Sequence, residues 1–155
     1  MQDKGSDRPQ PSIVIENALS TVRELLEMDV AFVAEFDGDR LAFRAVEGDK
    51  ESFGFEAGDS MPLEGTYCKR LIDGRTSSVV PDSRDDEQLR DLEVTREANI
   101  GSYAGVPIRL FDGRLYGTLC CLSHTPDPWL TERDLQMMNK LADDMARRLE
   151  HEGLL

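Results

Sequence analysis

Positive charge is scarce in this chain, and that scarcity is the first constraint. Only 18 Lys and Arg stand against 31 Asp and Glu among 155 residues, a net charge of −13. Such a surface repels phosphate backbones, and no stretch gathers lysines and arginines with interleaved aromatics, so nucleic acids and anionic membranes are excluded as partners. Long apolar runs are also missing. Stretches such as Val30 to Ala34 and Leu119 to Leu122 fall far short of the roughly 20 residues that span a bilayer. The opening MQDKGSDRPQPS lacks the apolar core of a secretory signal, which predicts a cytoplasmic protein. Cysteine is sparse and odd in number: Cys68, Cys120 and Cys121, two of them neighbours. A chain long enough to bury a core does not need disulfide staples, so all three read as reduced thiols. Aromatics make up only 6% of the residues, yet the apolar share of 39% suffices for one folded domain.

Residues 1–11 are polar, carry Pro9 and Pro11 and show no periodicity, which predicts a mobile arm, a domain over 12–150 and a frayed end over 151–155. From Ile15 the residues Ala18, Leu19, Val22, Leu25 and Leu26 recur at helical spacing, giving one amphipathic helix ending near Met28. Val30 to Phe36 and Leu41 to Glu47 flank Asp37-Gly38-Asp39 and read as a hairpin, with Leu41, Phe43 and Ala45 sharing a face. Gly48 to Pro62 reads as loop, pinned by Phe53 and Phe55. Leu63 to Asp73 reads as a short helix closed by Gly74, Ser77 to Val80 as a brief strand, and Asp82 to Glu97 as one or two short helices.

The last third is the most legible. Ser102 to Leu110 and Leu115 to Ser123 flank Phe111-Asp112-Gly113-Arg114 and should pair antiparallel. Alternation puts Ala104, Val106, Ile108 and Leu110 on one apolar side, toward helices. It puts Tyr103, Gly105, Tyr116, Thr118, Cys120 and Leu122 on the other. Thr131 and Asp134 mark the start of a final helix, with Leu130 and Leu135 as a staple. That helix carries Leu135, Met138, Ala142, Met145 and Leu149, flanked by Met137 and Leu141, a stripe wide enough for the domain's own sheet and for a parallel dimer seam. The fold class is α+β: an antiparallel central sheet with amino- and carboxyl-terminal helices on one face and a helical and loop lid on the other.

This order of elements, with Leu63-Glu64-Gly65-Thr66-Tyr67-Cys68, Val79-Val80-Pro81-Asp82, and Gly105-Val106-Pro107-Ile108 followed by Leu115-Tyr116-Gly117-Thr118-Leu119, resembles a GAF domain, a sensory module related in architecture to PAS domains. The resemblance runs from about Ser12 to Glu150. More narrowly, the run from Tyr67-Cys68 to Cys120-Cys121-Leu122-Ser123-His124 looks like GAF sensors found upstream of cyclic-dinucleotide phosphodiesterase or diguanylate cyclase domains. It implies an output domain in cis or in trans, since none fits within 155 residues. It also implies a small-molecule pocket between sheet and lid, with Tyr103, Tyr116, Thr118 and Cys120 from the sheet and Tyr67, Cys68, Asp82 and Arg84 from the covering segment. Against this stand plainer roles: packing for the tyrosines, a turn cap for Asp82, and buried small hydrophobes for the cysteines.

Enzymatic GAF relatives, the free methionine sulfoxide reductases, share Cys68 with this chain but nothing further. Arg96 or a neighbour falls where their catalytic cysteine stands, and Tyr103, Cys120 and Leu122 fall where they carry acidic residues. The bilin-binding pattern needs a Cys-His pair, and Cys68 is followed by Lys69. Haem-binding relatives use a pocket histidine, whereas His124 lies at a strand end and reads as an exposed turn residue. Cys120, Cys121 and His124 cannot share a zinc ion easily, because neighbours on a strand point to opposite faces. The reading is a non-enzymatic sensory domain that binds an unidentified small molecule and signals as a homodimer through its terminal helices. Two alternatives remain: a thiol redox sensor using Cys68 and Cys120, and a dimerisation scaffold whose pocket is filled by its own side chains.

Overall fold

A computed structural model of the chain describes residues 13–151, so the arm expected over 1–11 and the last four residues lie outside the described residues. Helix α1 (Ile13–Leu26) buries Ile15, Leu19, Val22 and Leu26, spaced three and four apart. Leu25, expected on the same face, sits one step off that stripe and is 61% exposed. The helix stops where Glu27 takes a left-handed φ of 54°, which brings the Met28 amide to the Arg23 carbonyl at 3.0 Å.

Strands β1 (Val30–Asp37) and β2 (Arg40–Gly48) pair antiparallel with Asp37 opposite Arg40, leaving Gly38-Asp39 as the turn. The stretch expected to be loop instead holds a one-turn helix, α2 (Lys50–Phe53), capped by Asp49, and an edge strand, β3 (Ser60–Pro62), on β2. Helix α3 (Tyr67–Ile72) is shorter than expected. Thr66 starts it late by accepting the Lys69 amide at 3.1 Å. Then come β4 (Val79–Val80), a 3₁₀ turn (Ser83–Asp85), α4 (Glu93–Glu97), β5 (Ser102–Arg109), β6 (Leu115–Ser123) and α5 (Glu132–His151). At the start of α5 the Asp134 carboxylate accepts the Thr131 amide at 2.9 Å, and the Thr131 hydroxyl donates to that carboxylate instead of capping amides. His151, expected in the frayed end, is still helical.

The strands form one antiparallel sheet in the order β3-β2-β1-β6-β5-β4. Helices α1 and α5 cover one face, and α2, α3, the 3₁₀ turn and α4 form a lid over the other, the α+β layering expected from the sequence. The α5 stripe of Met138, Ala142, Met145 and Leu149 is buried against the domain's own sheet, with Leu135, Met137 and Leu141 half-buried beside it.

Two bulges overturn the simple alternation. Ile108 pairs with Gly117 while Arg109 pairs with Leu115, so Tyr116 is the extra residue of a bulge and turns into the core beneath the helices. Its expected place on the lid face is therefore corrected. Likewise Val33 pairs with Ala45 while Ala34 pairs with Phe43. The extra residue, Arg44, splits the expected set: Leu41 and Phe43 face the lid, and Ala45 faces the helices. Elsewhere alternation holds, with Ala104, Val106, Ile108 and Leu110 beneath the helices and Tyr103, Cys120 and Leu122 beneath the lid.

Candidate functional site

The space between sheet and lid is filled with rings. Phe32 of β1 meets Phe43 of β2 edge-on, centroids 5.0 Å apart, and Phe55, following α2, lies 5.0 Å from Phe43. Tyr67, the first residue of α3, meets Tyr103 of β5 at 5.1 Å and 88°. Tyr103 is fully buried because Gly105, two residues on and on the same face, has no side chain. A Cβ there would lie 2.2 Å from the Tyr103 hydroxyl oxygen. What remains open is a cavity of about 30 Å³, lined in part by Thr66, Tyr67, Cys68, Val94 and Tyr103. That volume has room for a molecule of about two heavy atoms.

Beside the rings lies a buried polar cluster. Cys68 Sγ is 3.0 Å from the Thr118 hydroxyl and 3.9 Å from Cys120 Sγ, all three side chains being buried. The Cys120 hydrogen bond holds the Cys68 thiol below the ordinary thiol range against the upward push of burial, with help from Thr118. Burial pushes Cys120 well above that range, and its neighbour Cys68 adds to the rise. The Tyr103 hydroxyl has no hydrogen-bond partner, and burial with the two thiols nearby pushes its phenol far up. Tyr67 is better served. Thr95 donates to the Leu89 carbonyl at 2.6 Å, so the Tyr67 hydroxyl donates to Thr95 in turn. Burial raises the Tyr67 pKa as well.

Of the eight candidate residues, Tyr67, Cys68, Tyr103, Thr118 and Cys120 come together here. Tyr116 does not, for the reason given by its bulge. Asp82 and Arg84 stand apart from the cavity and do structural work: Asp82 caps the 3₁₀ turn by accepting the Arg84 amide at 3.1 Å, and the Arg84 guanidinium ties Asn99 Oδ1 and the His124 carbonyl at 2.6 and 3.0 Å. His124, read as an exposed turn residue, is instead a half-buried clasp. Its ring stacks on Phe53 at 3.9 Å, Nδ1 donates to the Asn99 carbonyl at 2.8 Å, and Nε2 meets the Ser52 hydroxyl at 2.7 Å. Sequence reasoning missed Thr95 and the ring-filling role of Phe32 and Phe43. The one available signal was a glycine two residues after a strand tyrosine. Among the described residues no group of three or more His, Cys, Asp or Glu is placed to hold a metal, and no helix is long and apolar enough to cross a membrane.

The sheet, its paired helices and the lid make up the layered α+β architecture of the GAF and PAS kind. The GAF domain family matches residues 11–149, and the chain belongs to it. Among curated proteins it is 29% identical to cyclic di-GMP phosphodiesterase PA2567 of Pseudomonas aeruginosa, over 88% of this chain and 22% of that protein. It is also 29% identical to diguanylate cyclase DgcP of Escherichia coli, over the whole of this chain and 47% of that protein. The chain therefore spans less than half the length of either relative. Among solved structures it superposes on the PixJ GAF domain of Thermosynechococcus elongatus with a TM-score of 0.71 at 20% identity, covering 91% of this chain and 85% of that one. For the GAF3 domain of Slr1393 from Synechocystis the TM-score is 0.67 at 17% identity, covering 92% and 94%. At those identities the likeness is one of fold.

Proposed function

We propose that the chain is the regulatory module of a cytoplasmic protein that makes or degrades a cyclic dinucleotide, with its output domain in cis or in trans. The state of the lid-side cluster passes through the sheet to α1 and α5. The observation that carries this reading is the placement of two adjacent residues of β6. Cys120 lies in the cluster beneath the lid, and Cys121 lies in the core beneath the terminal helices. A close-packed sheet cannot shift on one face without being felt on the other. Tyr67, Cys68, Tyr103, Thr118 and Cys120 are the sensing residues. A ligand larger than a few heavy atoms enters only when the lid opens, and its affinity is reduced by the fraction of time the lid stays closed. A homodimer would use the flank of the terminal helices that the sheet leaves uncovered: exposed Leu25 and half-buried Met137 and Leu141.

The test is a graft of this chain into cyclic di-GMP phosphodiesterase PA2567 in place of the 137-residue segment it matches. Hydrolysis should persist and change several-fold when the lid is loosened by Phe55→Ala, with the dimer retained on size-exclusion chromatography. Identical turnover for the graft and its lid variant would end the regulatory reading.

A further inference from the structure

Between the lid and the sheet sit two thiols that a mere packing role does not require. Cys68 and Cys120 come from segments 52 residues apart, yet their sulfurs stand 3.9 Å from each other. A disulfide needs about 2 Å between sulfurs, so a closure of roughly 2 Å separates the observed pair from a bond. The small cavity reaches Cys68, and Tyr103, whose buried hydroxyl lacks a partner, lines the same space. An orphaned buried hydroxyl is costly unless something occupies the space it faces.

We propose that Cys68 and Cys120 form a dithiol switch operated by hydrogen peroxide, which enters the cavity beside Cys68 and converts the pair into a disulfide within the domain. The Cys68 sulfur, as thiolate, attacks one peroxide oxygen, the O–O bond breaks, and the departing hydroxide takes up the proton Cys68 released and leaves as water. The resulting Cys68 sulfenic acid is attacked by the Cys120 sulfur. The S–S bond forms, the S–O bond breaks, and the hydroxyl leaves with the Cys120 proton as a second water. Two thiols and one peroxide thus become one disulfide and two waters, with two electrons passing from sulfur to the peroxide oxygens. Cys68 reacts first because it lines the cavity and is the more acidic of the two thiols, and the Tyr103 hydroxyl can donate to the departing oxygen. Cys121 takes no part. It lies on the opposite face of β6, and burial pushes its thiol up to about 12. The disulfide would draw α3 onto β6 and break the contact between Cys68 and Thr118.

Only the consequence for α1 and α5 rests on the regulatory reading; the bond itself does not. The experiment treats the purified chain with hydrogen peroxide and, in parallel, with bulky tert-butyl hydroperoxide, and reads intact mass, disulfide-linked peptides and hydrogen exchange. The expected result is a loss of about two mass units reversed by dithiothreitol, a peptide pair joining Cys68 to Cys120, and a much slower reaction with the bulky peroxide. Cys121→Ser should keep the mass loss. Cys120→Ser should stop at a sulfenic acid on Cys68, read as a gain of about 16 mass units that dithiothreitol reverses. Free thiols in the wild-type chain after peroxide, or a link made through Cys121, would overturn the switch, and because this is read on the wild type it does not depend on any variant folding. A Cys68–Cys120 bond that leaves exchange in α1 and α5 unchanged would uphold the switch and sink the regulatory reading alone.

Discussion

Beneath α1 and α5 the sheet meets isoleucine, leucine, valine, alanine, methionine and the lone Cys121, with Tyr116 as the single aromatic among the buried residues. Beneath the lid it meets four phenylalanines, two tyrosines and the Cys68 and Cys120 thiols. The difference follows from the covering elements. Two regular helices offer ridges that interdigitate with aliphatic side chains, so that side is held by aliphatic packing. A lid made of single-turn helices and loops cannot offer regular ridges, and large flat rings bridge its uneven gaps. Such packing leaves a residual cavity, an unpaired hydroxyl and two thiols in contact. One face is thus a foundation, and the chemistry collects on the other.

The comparison breaks first on truncation. Leu119 is fully buried on the helix side at the centre of the sheet. Leu119→Ala should cost about 3 kcal/mol in urea unfolding, whereas Val94→Ala, at the half-buried wall of the lid cavity, should cost about 1 kcal/mol or less. Equal losses would mean that the lid is as tightly packed as the foundation. The next effect is in pH. Burial raises the Cys121 thiol from 9.0 to about 12, so between those values the unfolded chain gives up its proton while the native chain keeps it. The contribution is fully present below pH 9 and is lost as pH rises toward 12, at about 1.4 kcal/mol per pH unit. The gap in stability between the wild type and Cys121→Ala should narrow by that slope over the interval, and a gap that stays constant would contradict it. The smallest effect has the opposite sign. Tyr103→Phe removes a buried hydroxyl without a partner and should stabilise the domain by up to about 1 kcal/mol. A clear loss of stability would show that an occupant of the cavity satisfies that hydroxyl in solution.

Much of the fold was legible because it rests on local chemistry. The α1 and α5 stripes, the Gly38-Asp39 turn, the pairing of β5 with β6 and the cap formed by Thr131 and Asp134 each depend on residues within a few positions of one another. The short elements α2 and β3 were not legible. Lys50–Phe53 carries too few residues to show a period, and Ser60–Pro62 is a strand only because β2 offers it an edge. The candidate site was legible in part. Alternation alone brought Tyr103 and Cys120 to the lid face, and the Thr66-Tyr67-Cys68 stretch stood out as the start of a helix. Asp82, Arg84 and Tyr116 misled because a residue's type does not say which neighbours its side chain will find.

The sequence by itself determined the order of helices and strands, the antiparallel hairpins and the apolar face of each terminal helix, since hydrophobic period, turn residues and capping act over a few residues. Only the tertiary structure decided three things. Bulges opposite Ala34 and Arg109 put Ala45 and Tyr116 on the helix side. Rings from β1, β2, β5 and the lid closed the pocket to about 30 Å³. Two thiols 52 residues apart came to 3.9 Å. Each depends on which surfaces meet when the whole chain packs, and no local pattern carries that information.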